Sequence, residues 1–346
     1  MNDQINTRKL DHLRAIADDA GIERHASGFE RVRLTHRALP EIDFDEIDTE
    51  TAFLDKKLQF PLLISSMTGG EDEEIKIINR RLAEAAEECG VAMAVGSQRV
   101  MIANPAAAGS FDLRKYCPTI PLISNLGAVQ LNHGFGLAEC QTAIDALEAD
   151  ALYLHLNPLQ EAVQPEGDLK FGGLADRIAT LTYELNVPVL LKEVGSGLSA
   201  ADIALGWNAG VRHFDVAGRG GTSWSRIEYH RRREEDDDIG LLFQDWGLTT
   251  VEALRQAAAE LKRHPEPSTL IASGGMRSGI DMAKALVLGA QISGIAAPFL
   301  AAARVSTETV VASIQKLKRE FRTAMFLLGC RNCDELIANE SLLLGT

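Results

Sequence analysis

The chain has 346 residues, with 35 basic and 49 acidic side chains and a formal net charge of −14. Its length and its 46% hydrophobic content allow a sizeable core and exclude a disordered or collagen-like protein. The acidic balance argues against general nucleic-acid binding, which needs a basic surface. No apolar run is long enough to span a membrane, and the first residues lack the apolar stretch of a signal peptide. We therefore expect a cytoplasmic protein.

Five cysteines, an odd number, do not suggest a disulfide framework. Cys330 and Cys333 form a C-x-x-C pair, but no second pair completes a zinc site. Because this pair directly follows a long apolar helical pattern, we expect reduced thiols in a helix-ending turn rather than a metal or redox site.

Short apolar runs recur along the chain, each followed by a segment with helical spacing of apolar residues. Eight such runs begin at Phe60, Ala92, Pro121, Ala151, Pro188, His213, Thr269 and Gln291. They are continuously apolar rather than alternating, as strands buried on both faces must be. Eight β-α units predict an α/β protein built as a (β/α)8 TIM barrel, with a doubly wound sheet as the alternative.

Two segments depart from this repeat. Residues 1–59 precede the first run and are expected to form an N-terminal extension, which leaves residues 60–346 for the barrel. About thirty residues, 218–247, separate the sixth strand from its helix and predict a long lid loop. The start of this loop, GGTSW, is typical of a ligand-facing turn, and its RRREEDDD part of a solvated face.

Polar residues gather where the predicted strands end. The carboxyl ends of barrel strands form the active face of such proteins, and five successive strands end in polar residues, a pattern that is hard to attribute to chance. These residues are Ser66, Met67 and Thr68, then Ser97, Gln98 and Arg99, then Ser124 and Asn125, then His155, Asn157, Gln160 and Glu161, and finally Lys192 and Glu193.

The seventh strand ends in SGGMRSG, and the eighth in GIAAPF. Backbone N–H groups of a glycine-rich turn beside a helix N-terminus bind phosphate, and barrels place this site after strands seven and eight. The alternative is a tight turn that needs glycine only for its positive φ. The pattern favours a phosphate site.

Lys192 lies between VLL and VG, so we expect it to be enclosed and paired. A cation at the barrel centre would stabilise the negative charge of a reduced flavin. A structural ion pair with Glu193 or a neighbouring strand's carboxylate, and a Schiff-base lysine, are the alternatives.

A second basic cluster, RKLDHLR, contains Arg8 and Lys9 and is suited to a second, more distant phosphate, although an ordinary surface helix fits equally. Glu161 stands alone on a polar loop. One carboxylate is a poor cage for a metal by itself, but it is adequate for Mg²⁺ shared with substrate phosphates; a solvent-facing glutamate is the alternative.

These motifs together resemble a known family. The segments RKLDH, SSMTGG, VGSQR, SNLG, HLNPLQEAVQPEGD, LKEVGSG, DVAGRGGTSW and SGGMRSG are similar to those of type 2 isopentenyl-diphosphate delta-isomerase, over nearly the whole chain. The resemblance implies an FMN-binding (β/α)8 barrel that is active with reduced FMN and Mg²⁺, takes NADPH as reductant and forms a homotetramer or homo-octamer. It also implies that the N-terminal extension carries substrate-phosphate contacts.

The resemblance also implies roles for individual residues. The FMN contacts fall on Ser66, Met67, Thr68, Ser97, Asn125, Lys192, Thr222, Gly275, Met276, Arg277, Ala296 and Ala297. The substrate contacts fall on Arg8, Lys9, Ser97, Gln98, Arg99, His155 and Gln160, and the metal ligand on Glu161. SSMTGG and the LKFGG that follows QPEGD differ from the family's usual form without removing a contacting group.

The implied reaction moves a double bond: a proton is added at C4 of isopentenyl diphosphate and another is removed from C2. Because an alkene is a feeble base, the developing carbocation needs stabilisation, and we expect the electron-rich reduced flavin to supply it and to act as the principal acid–base. Gln160 is expected to hydrogen-bond on the C2 side, with Glu228 of the lid as a weaker acid–base candidate.

An FMN-dependent hydroxy-acid oxidase or dehydrogenase is the rival interpretation. Such barrels generally place a histidine–arginine pair near their C-terminal strands. Here the sixth strand ends in DVAGRGGTSW, with Arg219 and no histidine beside it, and His213 begins that strand, at the wrong end of the barrel. The sequence therefore favours the isomerase.

Overall fold

The computed structural model describes residues 15, 18–67, 72–232 and 237–345. Eight parallel strands, β3 to β10, form a closed barrel in chain order, with β10 pairing with β3, and a separate antiparallel pair, β1 and β2, precedes them. The strands are β1 (Thr51–Phe53), β2 (Lys56–Leu58), β3 (Leu62–Ile64), β4 (Ala92–Ala94), β5 (Leu122–Gly127), β6 (Ala151–Leu156), β7 (Val189–Glu193), β8 (His213–Asp215), β9 (Thr269–Ser273) and β10 (Ile292–Ile295). The predicted TIM barrel is confirmed, and the doubly wound alternative is wrong.

Helices surround the barrel. They are α1 (Glu73–Cys89), α2 (Arg99–Ala103), α3 (Leu137–Leu147), α4 (Pro158–Val163), α5 (Leu174–Glu184), α6 (Ala200–Asn208), α7 (Trp224–Arg232), α8 (Ile239–Leu242), α9 (Thr250–Leu261), α10 (Gly279–Val287), α11 (Ala297–Val305) and α12 (Thr307–Leu328). The long helix α12 packs against α1, α10 and α11. It therefore closes the ring of helices between the first and the last β-α units of the barrel.

Polar caps and a left-handed glycine mark the ends of the helices. Asp72 accepts a hydrogen bond from the N–H of Glu74 at the start of α1, and Gly90 ends that helix in the left-handed conformation. Ser278 caps α10 in the same way, through the N–H of Asp281. These caps determine the residues at which the two helices begin or end, and hence the lengths of the turns that join them to the barrel strands.

The N-terminal extension contains a hairpin that the sequence analysis missed. Strands β1 and β2 are joined by Leu54 and Asp55, both with positive φ, as in a type I′ turn. Phe53 and Leu58 are fully buried and pack against the lower barrel interior, including Leu63 of β3. The hairpin therefore closes the amino-terminal end of the barrel.

The predicted lid loop is largely helical. It holds α7 and α8, and the helix that follows the sixth barrel strand, α9, begins only at Thr250. The sequence analysis treated this segment as a loop because its charged residues hide the buried face of α7, where Ile227 and Glu228 are fully buried. Residues 233–236, in the charged part, lie outside the described residues.

The C-x-x-C pair lies where the sequence analysis places it, in the turn after α12. Cys330 and Cys333 are both free and buried. Burial raises the pKa of Cys330 to about 11 and that of Cys333 to about 12, which makes these thiols poor nucleophiles and poor metal ligands. Among the described residues, no helix combines the length and apolarity needed to cross a membrane.

Candidate active site

A cavity of about 330 Å³ opens at the carboxyl ends of the barrel strands. A cavity of this size and position is the usual ligand site of a TIM barrel. Most of the predicted cofactor contacts share its wall, namely Ser66, Met67, Ser97, Asn125, Lys192, Thr222, Gly275, Met276, Arg277, Ala296 and Ala297. Thr68 lies outside the described residues.

The glycine-rich turns after β8 and β9 meet with almost no space between their backbones. Gly274 and Gly275 both have positive φ, and a Cβ on Gly275 would lie 2.2 Å from the carbonyl oxygen of Gly220. A Cβ on Gly274 would lie 2.1 Å from the carbonyl oxygen of Gly218. Only glycine fits these positions, and the result is a narrow cradle lined by backbone, beside the start of α10.

Arg277 lies at the mouth of this cradle. It forms an ion pair with Glu23, whose other oxygen accepts a hydrogen bond from the Thr222 hydroxyl at 2.5 Å. The sequence analysis missed Glu23, which also lines the cavity. Its position more than 200 residues away in the chain left no local signal for the contact.

The floor of the cavity holds a buried ion pair. The Lys192 ammonium on β7 is 3.4 Å from the carboxylate of Asp215 on the neighbouring strand β8. The expected pairing with a neighbouring strand's carboxylate is therefore found. The carboxylate of Glu193 points elsewhere, because it accepts hydrogen bonds from the backbone N–H groups of residues 194–197.

A hydrogen-bond network supports the wall formed by β5 and β6. Asn125 donates to the Ser66 hydroxyl at 2.9 Å, and the Oδ1 atom of Asn125 contacts Nδ1 of His155 at 2.7 Å. Gln98 accepts from the Ser124 hydroxyl at 2.6 Å and from the backbone N–H of Asn125 at 3.0 Å.

Gln98 lies beneath the cavity wall rather than on it. Its side chain is fully buried, donates to the Ala143 carbonyl oxygen at 2.8 Å and does not line the cavity. The Gln98 side chain thus supports Asn125 from beneath, and the contact between Gln98 and the substrate stays a prediction. Its neighbours Ser97 and Arg99 do line the cavity. Gln98 is the residue that precedes helix α2, and at this turn its side chain lies beneath the cavity wall.

Arg99 and Glu161 lie at the opposite side of the cavity from the glycine cradle, joined by Asp168. The Asp168 carboxylate accepts from the Arg99 guanidinium at 3.0 Å and from the Gln130 amide at 2.8 Å. Its backbone N–H donates to Glu161 at 2.7 Å. Asp168 belongs to the QPEGD segment, and it fixes both groups although the motif predicts no role for it.

Glu161 is buried rather than solvent-facing, and it also accepts from the Asn157 amide at 2.9 Å and from Gln164. Within the described ranges, no three His, Cys, Asp or Glu side chains group in a way that could hold a metal.

The two predicted acid–base residues are in contact. The Gln160 amide, which lines the cavity, donates to the Glu228 carboxylate at 3.0 Å. Glu228 is fully buried on α7 and forms an ion pair with Arg231 at 2.6 Å. Glu228 therefore reaches the cavity through Gln160. Arg8 and Lys9, the remaining predicted substrate contacts, lie outside the described residues.

The rival oxidase arrangement is not formed by the sixth barrel strand. His213 lies at the amino end of β8, where its ring is 6.5 Å from that of Phe53 in the hairpin. Burial lowers the pKa of His213 below its ordinary value. The histidine that does line the cavity, His155, is held by Asn125.

Comparison with known proteins agrees with this site. A family model described as FMN-dependent dehydrogenase matches residues 2–110 and 162–343. The chain is 66% identical to the isopentenyl-diphosphate delta-isomerase of Paracoccus zeaxanthinifaciens, over 97% of this chain and 96% of that protein. It is 54% identical to the enzyme of the same name from Hydrogenovibrio crunogenus, over 98% of each.

Solved structures of lower similarity share the fold. A mandelate oxidase mutant with an FMN monooxide adduct matches with a TM-score of 0.61 and 18% identity, covering 91% of this chain and 88% of that one. A flavocytochrome b2 mutant with pyruvate bound matches with a TM-score of 0.69 and 17% identity, covering 93% and 78%. At such identities the likeness concerns the barrel alone. On its full-length relatives, the chain belongs to the FMN-dependent, type 2 isopentenyl-diphosphate delta-isomerase family.

Proposed function

We propose that the protein interconverts isopentenyl diphosphate and dimethylallyl diphosphate, a step of isoprenoid biosynthesis, using reduced FMN and Mg²⁺. The observation that carries this proposal is the meeting of Gln160, Glu161 and Arg99 on the wall of the cavity that also holds the glycine cradle and Lys192. Full-length relatives with this enzyme's name support the choice of reaction.

The residues present fit FMN. In the cradle, a Cβ on Gly274 or Gly275 would overlap the facing backbone of Gly218 or Gly220, so a ligand would meet backbone there rather than side chains. Beside the start of α10, such a turn suits a phosphate group. Lys192 and Asn125 would face the ring system from the cavity floor and wall. When bound in its reduced form, FMN supplies an electron-rich surface beside the substrate's alkene. NADPH is the reductant that we propose for it.

The donor set near Glu161 fits Mg²⁺. Asn157 Oδ1 and Gln164 Oε1 are buried oxygens with no hydrogen-bond partner among the described residues, and both residues donate to the Glu161 carboxylate. Hard oxygen ligands of this kind suit Mg²⁺, which keeps several waters and shares substrate phosphates. Glu161 would be the protein's carboxylate ligand, as the sequence suggests.

The diphosphate would bind on the same side of the cavity. Arg99 presents its guanidinium at the cavity wall while Asp168 fixes its orientation. His155 and Ser97 add polar groups nearby, and we assign Arg8 and Lys9 of the extension, residues 1–59, to the same anion. Held at this end, the substrate would extend its apolar part across the cavity towards Met67 and Lys192.

The proton that leaves C2 needs a base with a suitable pKa. An amide such as Gln160 cannot keep a proton, whereas the Glu228 carboxylate behind it can. The 3.0 Å contact between their side chains would allow a relay, in which the Gln160 amide oxygen accepts the C2 proton while the Gln160 N–H passes its proton to the Glu228 carboxylate. Because Glu228 is fully buried, water does not compete at this point.

The assembly and the location belong to the same proposal. We expect a homotetramer or homo-octamer in the cytoplasm, with residues 60–346 as the FMN-binding barrel. Light scattering of the holoenzyme measures the oligomeric state directly, and a mass of one protomer would contradict this part.

The decisive experiment is anaerobic. The protein is mixed with FMN, Mg²⁺ and isopentenyl diphosphate in D₂O and followed by proton NMR, first with oxidised and then with reduced cofactor. We expect dimethylallyl diphosphate, with deuterium incorporated and no net flavin oxidation, only after reduction. Flavin reoxidation by a hydroxy or keto acid, without isomerisation, would instead establish an oxidoreductase.

A further inference from the structure

The buried carboxylate of Asp215 has no part in the function proposed above. Asp215 is fully buried on β8, and its register partner on β7 is Lys192, which is 7% exposed. The Lys192 ammonium is 3.4 Å from the Asp215 carboxylate. Lys192 lines the cavity, whereas Asp215 does not. The cation therefore faces the cavity with its counter-ion directly behind it.

Asp215 is held rigidly in this position. One carboxylate oxygen accepts from the Tyr153 hydroxyl at 3.1 Å, and the other accepts from the Ser273 hydroxyl at 2.5 Å and from the backbone N–H of Ala217 at 3.3 Å. Three strands thus contribute to one buried, hydrogen-bonded carboxylate. Fixed dipoles and charges of this kind act on a ligand without needing to reorganise.

The pair determines the net charge beneath the cofactor site. A lone ammonium would stabilise a negatively charged reduced flavin over the neutral oxidised one and raise its reduction potential. A carboxylate close behind the ammonium cancels most of that field at distances larger than their separation. The floor of this cavity is therefore close to neutral, although it presents a cation at short range.

We propose that Asp215 is a positioning and charge-balancing residue that acts through Lys192 to keep the reduction potential of bound FMN low. This inference rests on the proposed function. Isomerisation involves no net electron transfer, so the protein gains nothing from drawing electrons onto the flavin, and an electron-rich reduced cofactor suits the alkene better. Lys192 then supplies a local hydrogen-bond donor without the electrostatic effect of a full positive charge.

A double-mutant cycle tests this charge balance. Asp215→Asn, Lys192→Met and the double variant are loaded with FMN, and the ratio of affinities for reduced and oxidised FMN is obtained by anaerobic titration against a reference dye. We expect Asp215→Asn to raise this ratio about tenfold, the order expected of one unit charge at an effective dielectric constant near 20. For a two-electron couple, tenfold corresponds to about 30 mV.

The other variants sharpen the result. Lys192→Met should lower the ratio by a similar factor, and the double variant should return to within about threefold of the wild type, because it restores neutrality. Tyr153→Phe removes a hydrogen bond from the same carboxylate without changing the charge, so its ratio should stay near the wild-type value. If Asp215→Asn alone does not fold, the lowered ratio of Lys192→Met together with the near-wild-type ratio of the double variant still decides.

An unchanged or lowered ratio in Asp215→Asn, or a double variant that stays as far from the wild type as either single variant, would overturn the inference. The NMR assay of the wild type runs in parallel. If the wild type does not isomerise the substrate but the variant ratios follow the predicted pattern, the proposed function is overturned and the charge balance stands. Isomerisation by the wild type, together with variant ratios that do not follow the predicted pattern, would support the proposed function and overturn the charge balance.

Discussion

The two ends of the barrel are built from the same strands but differ in chemistry. At the amino-terminal end, Phe53 and Leu58 of the hairpin fill the interior with apolar side chains that are fully buried. At the carboxyl-terminal end, Asn125 and Lys192 project into an open cavity and are held by hydrogen bonds and charges. The closed end supplies stability, which allows the open end to keep polar groups exposed to a ligand.

This division predicts large effects on turnover from the Gln160–Glu228 contact. Glu228→Gln removes the carboxylate charge from a buried position one side chain away from the cavity. We expect turnover to fall about 10²- to 10⁴-fold, the usual contribution of a positioned acid–base group. The rate is measured by the NMR assay at saturating Mg²⁺ and substrate.

Two companions complete that test. Gln160→Ala should lower turnover too, because it breaks the link between Glu228 and the cavity. Glu184→Gln, an exposed site on α5, makes the same chemical change outside the site and should leave the rate unaltered. Nearly full turnover in both Glu228→Gln and Gln160→Ala would show that neither residue is an obligatory proton carrier.

The closed end predicts the opposite behaviour. Phe53→Ala leaves a cavity among side chains that include Leu63 and Tyr153 of the barrel interior. We expect a loss of about 3–5 kcal/mol in the free energy of unfolding, measured with urea, while turnover per folded molecule stays unchanged. Leu39→Ala, at a residue that is 72% exposed, is the control and should have little effect. A drop in turnover of folded Phe53→Ala would show that the two ends are coupled.

The barrel and most of the open end could be predicted from the sequence, because buried parallel strands are continuously apolar and their polar endings interrupt that pattern. The closed end could not. Its strands have three residues each, and the turn uses Leu54 and Asp55 instead of the Asn-Gly or Asp-Gly typical of type I′ turns. The hairpin therefore cannot be predicted from its own sequence, because it depends on the packing of Phe53 against the barrel.

The supporting residues of the site were also beyond sequence reasoning, for two physical reasons. Asp215 is a charged residue in a buried strand, so it must have a partner. That this partner is Lys192 depends on the register between β7 and β8. Gln98 stands between two residues that line the cavity, and only the direction of its side chain reveals that it supports Asn125. Register and direction are properties of the assembled barrel.

A smaller effect is expected from a buried carboxyl group at the open end. Glu193 accepts backbone hydrogen bonds from Val194, Gly195 and Gly197 at 2.7, 2.6 and 3.1 Å, and from Ser196. Burial outweighs these contacts and raises the pKa of Glu193 from 4.5 to about 7. The folded state therefore favours the neutral form, and stability is fully present below the unfolded pKa and is lost as the pH rises towards 7.

Glu193→Gln removes this titration while keeping an acceptor oxygen. Between pH 4.5 and 8, the free energy of unfolding of the wild type should fall by up to roughly 3 kcal/mol relative to that of the variant. Urea unfolding at several pH values measures it. A difference that does not change with pH would mean that the four N–H donors compensate for burial and keep the carboxylate ionised.

The smallest effect concerns how the open end is covered. Asp19 fastens helix α7 through Arg226 at 2.5 Å and His230 at 2.6 Å. The Arg226 guanidinium is the main reason that the pKa of Asp19 lies well below its usual range. The ionised Asp19 therefore contributes stability above pH 3.8, and this contribution is lost as the pH falls. Asp19→Asn should cost about 1 kcal/mol, seen as faster hydrogen exchange in α7 and not in the barrel strands.

The adjacent exposed residue provides the matched control, since Asp18→Asn changes the same charge without these contacts. Salt distinguishes the two ends of the barrel in one further measurement. About 1 M NaCl should reduce the effect of Asp19→Asn, because partly exposed ion pairs are screened, but not that of Phe53→Ala. If about 1 M NaCl left the effect of Asp19→Asn unchanged, packing rather than charge would hold α7 over the open end. The contrast between a charged carboxyl-terminal end and an apolar amino-terminal end would then not extend to α7.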